Sequence, residues 1–139
     1  MSERAHYAVS PIGFVRSALK DAGQAPKQGH EGAPEAWLDI LDPFEDGLDG
    51  LAAGEEAVVV TWLHQARRDV LKLHPRDDAS LPVTGVFVTR SQDRPNPLGL
   101  HRVTILERAG THLRVSPLEA IDGTPILDLK PVLPGLPES

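Results

Sequence analysis

The chain has 139 residues, of which 40% are hydrophobic and 24% are charged, a composition that indicates one soluble globular domain. It contains no cysteine, which excludes disulfides, thiolate metal sites and cysteine nucleophiles. Its formal net charge of −6 excludes general nucleic-acid binding through counterion release, so an RNA substrate would need a local basic patch.

The start of the chain and its apolar runs bear on location. No apolar run approaches the roughly 18 residues that a membrane span needs. The opening sequence MSERAHYAVS contains no signal-peptide core. Together with the absence of cysteine, these features predict a cytoplasmic protein that does not bind membranes.

Thirteen prolines and twelve glycines exclude long helices and favour short strands. In the first half of the chain we predict three strands: Tyr7–Ser17, Ala36–Asp42 and Ala57–Leu63. A long loop over residues 21–35 separates the first two, and residues 43–51 form a helical turn or an irregular connector. The strand over Ala57–Leu63 has the strongest pattern, because it is β-branched and aromatic and carries no charge.

The second half of the chain is also predicted to consist of short elements separated by loops. Residues Gln65–Arg76 fit a short helix or a strand about equally, and Gly85–Arg90 is predicted to be a strand. Pro95 and Pro97 exclude regular structure over residues 91–99.

An alternating hairpin and a last strand complete the chain. The predicted segments are His101–Arg108 and Thr111–Pro117, joined at Ala109–Gly110, and Pro125–Val132 after a turn at Asp122–Gly123. On these strands Val103 and Ile105 share one face, as do Leu113 and Val115. Six or seven short strands predict one mainly β domain over residues 1–139, an antiparallel sheet closed as a barrel or a sandwich.

Common catalytic motifs are absent from the sequence. No two glycines are separated by a single residue, which excludes the usual Rossmann dinucleotide or methyltransferase loop. The sequence also lacks a phosphate-binding P-loop, an HExxH zinc motif and a GxSxG nucleophile elbow. The six histidines are scattered, and their spacing indicates no metal site.

The segment richest in residues suited to binding or catalysis is Thr84–Leu100, TGVFVTRSQDRPNPLGL. Two arginines, Arg90 and Arg94, lie in a loop that Pro95 and Pro97 make rigid, so polar side chains there lose little entropy on binding. The prolines also fix the backbone of Asn96 and so direct its amide. The segment fits either a binding loop or a proline-stiffened turn with solvated arginines.

This segment resembles the signature of the TrmO family, also called YaeB-like or TsaA-like, whose pattern reads roughly GVFATRSPxRPNPIGL. Two further blocks occur in the family's order: PIGFVRS at Pro11–Ser17 is similar to IGxIRS, and IDGTPILDLKP at Ile121–Pro131 is similar to DGTPVLDIKP. The resemblance implies a closed β-barrel that binds S-adenosylmethionine without a Rossmann fold, usually as a homodimer. The best characterised members methylate N6 of threonylcarbamoyladenosine at position 37 of tRNA, beside the anticodon.

By position, the resemblance implies contacts to S-adenosylmethionine from four parts of the chain. The residues concerned are Lys27, Gln28, Gly29, Leu63, His64, Arg90, Leu100, Ser116, Pro117, Leu118 and Glu119. Arg90 or Lys27 would pair with the ligand carboxylate. Glu119 would accept hydrogen bonds from the ribose hydroxyls or the ammonium, and the backbone of residues 116–118 would contact the adenine edge.

The resemblance also implies methyl transfer, an in-line displacement that depends on positioning. Because the acceptor nitrogen is conjugated to a carbamoyl group, it would benefit from a base, and His64 and Asp122 are the candidates. Arg94 and Asn96 are the candidate substrate contacts. Both candidate bases also have a plainer interpretation. His64 fits a partly exposed histidine after a strand, and Asp122 fits a residue that forms a turn.

Two departures from the family bear on the acceptor. Gly47–Ala66 replaces the family's GLEGFSHIWLLFHFH, without its Ser-His pair, and longer members carry a further domain after the last block. We expect both departures to affect substrate recognition while leaving cofactor binding intact. The alternatives therefore remain a methyltransferase of a small-molecule acceptor and a non-catalytic module that binds S-adenosylmethionine.

Basic residues near the signature offer a route to tRNA. Arginines and a lysine could form one basic face on the acidic chain: Arg67, Arg68, Lys72, Arg76, Arg90, Arg94 and Arg102. The alternative is a set of ordinary solvated charges.

Overall fold

Short β-strands and 3-10 helices form the regular structure in the computed structural model, which describes residues 5–20 and 34–135. The strands are β1 (Gly13–Arg16), β2 (Ala36–Ile40), β3 (Glu56–Trp62), β4 (Lys72–Leu73), β5 (Thr84–Gly85), β6 (Leu98–Ala109), β7 (His112–Ser116) and β8 (Pro125–Pro131). The 3-10 helices occupy Asp42–Leu48, Pro75–Asp77 and Val86–Val88. No helix in the described ranges is long and apolar enough to span a membrane.

Six of the strands close into an antiparallel barrel. Their order around the barrel is β1-β2-β7-β6-β3-β8, and β4 pairs with β5 in a separate two-stranded sheet. The prediction of a mainly β, closed antiparallel barrel with short helical connectors is therefore confirmed, and the sandwich alternative is excluded.

The barrel interior is filled by alternate residues of the strands, as the period-2 geometry of β-structure requires. These core residues are almost fully buried: Val15, Leu38, Val59, Val103, Ile105, Leu113, Val115 and Ile126. The prediction that Val103 and Ile105 share one face, as do Leu113 and Val115, is confirmed, and in both strands that face is the barrel interior.

The predicted hairpin joins β6 and β7. Ala109 pairs with His112, so the two-residue connection is Gly110–Thr111, one residue later than the predicted Ala109–Gly110. Gly110 has the positive φ of 63° that such a tight turn favours. The first arm is longer than predicted, because β6 already begins at Leu98 and pairs there with Trp62.

The predicted strand over Gly85–Arg90 is wrong. Only Thr84–Gly85 pairs, with β4, and the chain then turns into the 3-10 helix Val86–Val88. The carbonyl of Val86 explains the turn, because it accepts hydrogen bonds from Thr89 N–H (3.0 Å), Thr89 Oγ1 (2.8 Å) and Arg94 Nη2 (3.1 Å). These local hydrogen bonds replace the ladder bonds of a strand.

Three other segments differ from the predictions in extent. The predicted strand over Tyr7–Ser17 is reduced to β1. Within Gln65–Arg76, only the two residues of β4 and the start of a 3-10 helix are regular. The predicted loop over residues 21–35 lies outside the described residues except for its last two positions.

Candidate functional site

A cavity of about 400 Å³ lies where the end of β3 meets the start of β6. The loop before β6 and the connection between β7 and β8 complete its walls. Its lining residues are Leu63, His64, Gln65, Arg90, Ser91, Gln92, Arg94, Asn96, Leu98, Gly99, Leu100, His101, Glu119, Ala120, Ile121 and Thr124. This size falls within the range of small-molecule sites, and the lining combines apolar side chains with a few charged ones.

Arg94 holds the loop that forms one wall of the cavity. Its guanidinium donates hydrogen bonds to three backbone carbonyls: Nη1 to Thr89 (3.0 Å) and Ser91 (2.9 Å), and Nη2 to Val86 (3.1 Å). These hydrogen bonds involve a charged donor and are stronger than neutral ones. Arg94 therefore cross-links the segment from β5 to the proline-rich turn.

Arg68 fixes the orientation of Asn96 at the edge of the cavity. Its Nε donates to the carbonyl of Pro95 (2.7 Å), its Nη2 donates to Oδ1 of Asn96 (3.2 Å), and its guanidinium carbon lies 5.0 Å from the ring centroid of Trp62. Because a guanidinium only donates, the amide oxygen of Asn96 must face Arg68. Among residues 5–20 and 34–135, none accepts a hydrogen bond from the amide NH₂ of Asn96, which is therefore available as a donor.

A hydrogen-bonded chain of three side chains runs from the barrel interior to the cavity. Oγ1 of Thr61 lies 2.7 Å from Nε2 of His101, and Nδ1 of His101 lies 2.5 Å from Oε1 of Glu119. Thr61 is fully buried, His101 is 5% exposed, and the Glu119 side chain is 18% exposed. The arrangement places the carboxylate of Glu119 at the cavity wall, where the hydrogen bond to His101 holds it.

Gly99 makes room for this chain. It pairs with Thr61 across β3 and β6. A Cβ atom at this position would overlap Oγ1 of Thr61 and lie 2.6 Å from Nε2 of His101. The absence of a side chain at Gly99 is therefore required for the hydrogen bond between these two residues.

The structure brings together most of the predicted site residues that it describes. Those that line the cavity are Leu63, His64, Arg90, Arg94, Asn96, Leu100 and Glu119. Those that do not are Ser116, Pro117, Leu118 and Asp122. Lys27, Gln28 and Gly29 lie outside the described residues.

Asp122 joins β1 to the connection before β8. Its Oδ1 accepts a hydrogen bond from Ser17 N–H (2.9 Å), and its Oδ2 lies 3.3 Å from Nζ of Lys20. The hydrogen bond from Ser17 is the main reason that the pKa of Asp122 is below its ordinary value, and Lys20 contributes in the same direction. This contact gives Asp122 a structural role, and its proposed role as a base stays a prediction.

The predicted basic residues are largely paired. Arg67 forms an ion pair with Asp69 (3.1 Å), Arg102 forms one with Glu56 (2.9 Å), and Arg94 is turned into its own loop. Arg90, by contrast, is exposed at the cavity, and no described residue forms a hydrogen bond or ion pair with it. The positive charge at the cavity is therefore mainly that of Arg90.

A second, smaller groove of about 300 Å³ contains Arg16, Trp37 and Arg114. Arg16 pairs with Asp39 (2.8 Å), and Arg114 pairs with Glu35 (2.8 Å) and with Glu107. Since its arginines already have carboxylate partners, this groove is a weaker candidate for an anionic ligand. Within the described part of the chain, no group of three or more His, Asp or Glu side chains could hold a metal ion.

Thr61, Gly99 and His101 were not among the site residues predicted from the sequence. One signal could have found His101, because the alternation that places Val103 and Ile105 inward also places His101 inward. A buried histidine next to a signature loop is a candidate for a supporting role. The partnership with Thr61 depends on the strand register, which the sequence does not specify.

Comparisons with known proteins agree with this architecture. Residues 14–136 match the family model described as the tRNA-methyltransferase O N-terminal domain. A protein of Methanothermobacter thermautotrophicus named "Probable S-adenosyl-L-methionine-binding protein" is 42% identical over 123 residues, which cover 88% of each chain. An Archaeoglobus fulgidus protein of the same name is 42% identical over 120 residues, which cover 86% of this chain and 32% of that protein.

Similarity extends to solved structures. A crystal structure of TrmO from P. aeruginosa superposes with a TM-score of 0.74 at 32% sequence identity, covering 95% of this chain and 57% of that one. The present chain thus spans only part of that protein and of the Archaeoglobus relative.

Proposed function

Because it matches the tRNA-methyltransferase O N-terminal domain over most of its length, the chain belongs to that family, and we propose that it is an S-adenosylmethionine-dependent methyltransferase. As its acceptor we propose N6 of threonylcarbamoyladenosine at position 37, in the anticodon loop of tRNA. The observation that carries the proposal is the cavity that places Arg90 and Glu119 in one lining, beside the signature loop.

The residues of the cavity fit S-adenosylmethionine. Its volume of about 400 Å³ is in the range of small-molecule sites. The exposed guanidinium of Arg90 suits a carboxylate, and Glu119 suits the hydrogen-bond donors of a ribose or an ammonium. Leu63, Leu100 and Ile121 supply apolar surface for the base and the methylene chain.

S-adenosylmethionine supplies an electrophilic methyl group when it is bound. The contribution of this chain is to orient the two reactants and to accept a proton from the acceptor nitrogen. Of the two candidate bases, His64 lines the cavity, and no described residue bonds to its ring. We therefore favour a ring nitrogen of His64 over the carboxylate of Asp122, which is engaged by Ser17 and Lys20.

Asn96 would contact the acceptor through its amide NH₂. Since Arg68 holds the amide oxygen, the NH₂ group can donate to a carbonyl such as that of the carbamoyl substituent. The role we propose for Arg94 is to hold the loop that presents Asn96, through its three carbonyl contacts.

We further propose that the chain acts as a homodimer. Apolar side chains next to the cavity are exposed: Phe87 (76%), Val88 (75%), Leu100 (57%) and Leu98 (48%). A contiguous apolar surface commonly marks a protein interface, and we propose that these four side chains form one. Gel filtration with light scattering tests this, since Phe87→Ser should shift the mass toward that of the monomer.

A small-molecule acceptor is the second candidate. It is favoured by the pairing of Arg67 and Arg102 with carboxylates, which reduces the basic surface available to RNA on a chain of net charge −6.

Mass spectrometry of tRNA nucleosides tests the proposal. Purified protein and S-adenosylmethionine are incubated with tRNA that contains unmethylated threonylcarbamoyladenosine. We expect that nucleoside to gain one methyl group, and His64→Ala to abolish most of the gain. His112→Ala is the matched control, because His112 lies on the barrel exterior against Asp39. Unchanged tRNA would exclude the tRNA acceptor, whereas formation of S-adenosylhomocysteine with another acceptor would support the second candidate.

A further inference from the structure

Two buried polar side chains occupy positions where a barrel core needs only apolar residues: His101 at the inner wall of the cavity and Thr61 behind it. Thr61 is fully buried and His101 is 5% exposed, whereas the neighbouring inward residues Val59 and Val103 are apolar. Burying a hydroxyl and an imidazole costs free energy unless their hydrogen bonds are satisfied. Their position directly behind a charged residue of the cavity suggests a role beyond packing.

The hydrogen bonds define one tautomer of His101. Within the described residues, Oγ1 of Thr61 has a single partner, Nε2 of His101. If His101 carried a proton on both nitrogens, Nε2–H would donate to Oγ1, and the hydroxyl hydrogen would then have no acceptor among these residues. With neutral His101, Thr61 O–H donates to Nε2 and Nδ1–H donates to Oε1 of Glu119, so every buried hydrogen is satisfied.

This arrangement leaves one oxygen of Glu119 available to a ligand. Oε1 accepts from His101, and no described residue hydrogen-bonds to Oε2. Glu119 lines the cavity with its side chain 18% exposed. A glutamate has several rotatable bonds, and fixing them before a ligand arrives lowers the entropic cost of binding.

We propose that His101, oriented by Thr61, is a positioning residue that holds Glu119 so that its second oxygen receives hydrogen bonds from the ligand. The ligand group is a hydrogen-bond donor, either a ribose diol or an ammonium. The inference rests on the proposed function for the identity of the ligand as an adenosyl amino acid. It adds two residues, Thr61 and His101, whose contribution to binding is made through Glu119.

Calorimetric titration with S-adenosylhomocysteine tests the role of each member. Removing a hydrogen bond to a charged group typically weakens binding about 10- to 100-fold, so we expect Glu119→Gln and His101→Leu to fall in that range. Thr61→Val should weaken binding by about threefold to tenfold. Thr61→Ser keeps the hydroxyl, so it should bind S-adenosylhomocysteine with wild-type affinity.

A core variant separates positioning from stability. Val115→Ala removes fully buried surface outside the cavity lining, so it should lower the unfolding temperature without changing affinity. Equal affinities for wild type, Thr61→Val and His101→Leu would overturn the inference while leaving the proposed function intact. Wild-type protein that does not bind S-adenosylhomocysteine would overturn both.

Two further readouts sharpen the result. Nitrogen-15 NMR of the His101 ring should show a proton on Nδ1, and an Nδ1 without a proton would contradict the inference without reference to any ligand, because that nitrogen could not donate to Glu119. Titration with 5′-methylthioadenosine, which lacks the amino acid, identifies the donor. If Glu119→Gln weakens the binding of 5′-methylthioadenosine as much as that of S-adenosylhomocysteine, the donor to Glu119 is the ribose. If the substitution no longer weakens binding, the donor is the ammonium.

Discussion

The substitution Gly99→Ala tests how tightly the structure behind the cavity is packed. The new Cβ would overlap Oγ1 of Thr61 and lie 2.6 Å from Nε2 of His101. Neither neighbour can move away easily, because both are buried and hydrogen-bonded to each other. Accommodation would require one side chain to leave its position and the hydrogen bond to break.

The cost follows from these two effects. Overpacking a core typically costs about 1–3 kcal/mol, and a buried polar group left without a partner costs about 1–3 kcal/mol. We therefore expect Gly99→Ala to lower the free energy of unfolding by about 2–6 kcal/mol, compared with a total stability of about 5–15 kcal/mol for an ordinary domain. With a urea m-value of about 2 kcal/mol per molar, the unfolding midpoint should fall by about 1–3 M.

Urea unfolding followed by circular dichroism measures this shift. Gly47→Ala is the matched control, because a Cβ there meets nothing within 4 Å. We expect the control to change stability by less than about 0.5 kcal/mol. If Gly99→Ala were as stable as Gly47→Ala, the packing described around Thr61 and His101 would be wrong.

The remaining predictions concern the loop, the barrel exterior and the turn before β8. Arg94→Met should lower the free energy of unfolding by about 2–4 kcal/mol in urea, because three charge-assisted hydrogen bonds are lost, whereas the exposed Arg90→Met should leave it unchanged. The hydrogen bond from Arg16 holds the pKa of Asp39 below its ordinary value of 3.8, so the stability it contributes is present above that value and is lost as the pH falls through the lower, folded-state pKa. Unfolding curves from pH 6 to pH 2 should therefore show Asp39→Asn less stable than wild type at pH 6, with the difference shrinking in acid; a constant difference would contradict this. Asp122→Asn keeps an acceptor for Ser17 N–H, so methyl transfer should persist if His64 is the base, and its loss in a folded variant would assign the base to Asp122 instead.

The barrel could be predicted from the sequence because its strands alternate strongly. On β6 and β7 the apolar pairs Val103 and Ile105, and Leu113 and Val115, stand at alternate positions, and such a pattern is sufficient to assign the two strands of the hairpin. The strand predicted over Gly85–Arg90 was wrong because side chains further along the same loop compete for its backbone, since Thr89 and Arg94 both donate to the carbonyl of Val86. Local β-propensity at valine and phenylalanine does not contain that information.

The site was predicted only in part for a related reason. The resemblance located Arg90 and Glu119, whose shared cavity the structure supports. The Thr61–His101 contact depends on the register of β3 against β6, in which Thr61 faces Gly99. Register between strands 40 residues apart is set by the whole barrel, so one sequence does not reveal which polar side chains meet inside it.

Co-crystallisation of the protein with S-adenosylhomocysteine tests the proposed site most directly. We expect ligand density in the cavity, with the carboxylate near the guanidinium of Arg90 and a hydroxyl or ammonium within hydrogen-bond distance of Oε2 of Glu119. An empty cavity at a saturating ligand concentration, or ligand bound elsewhere on the barrel, would contradict it.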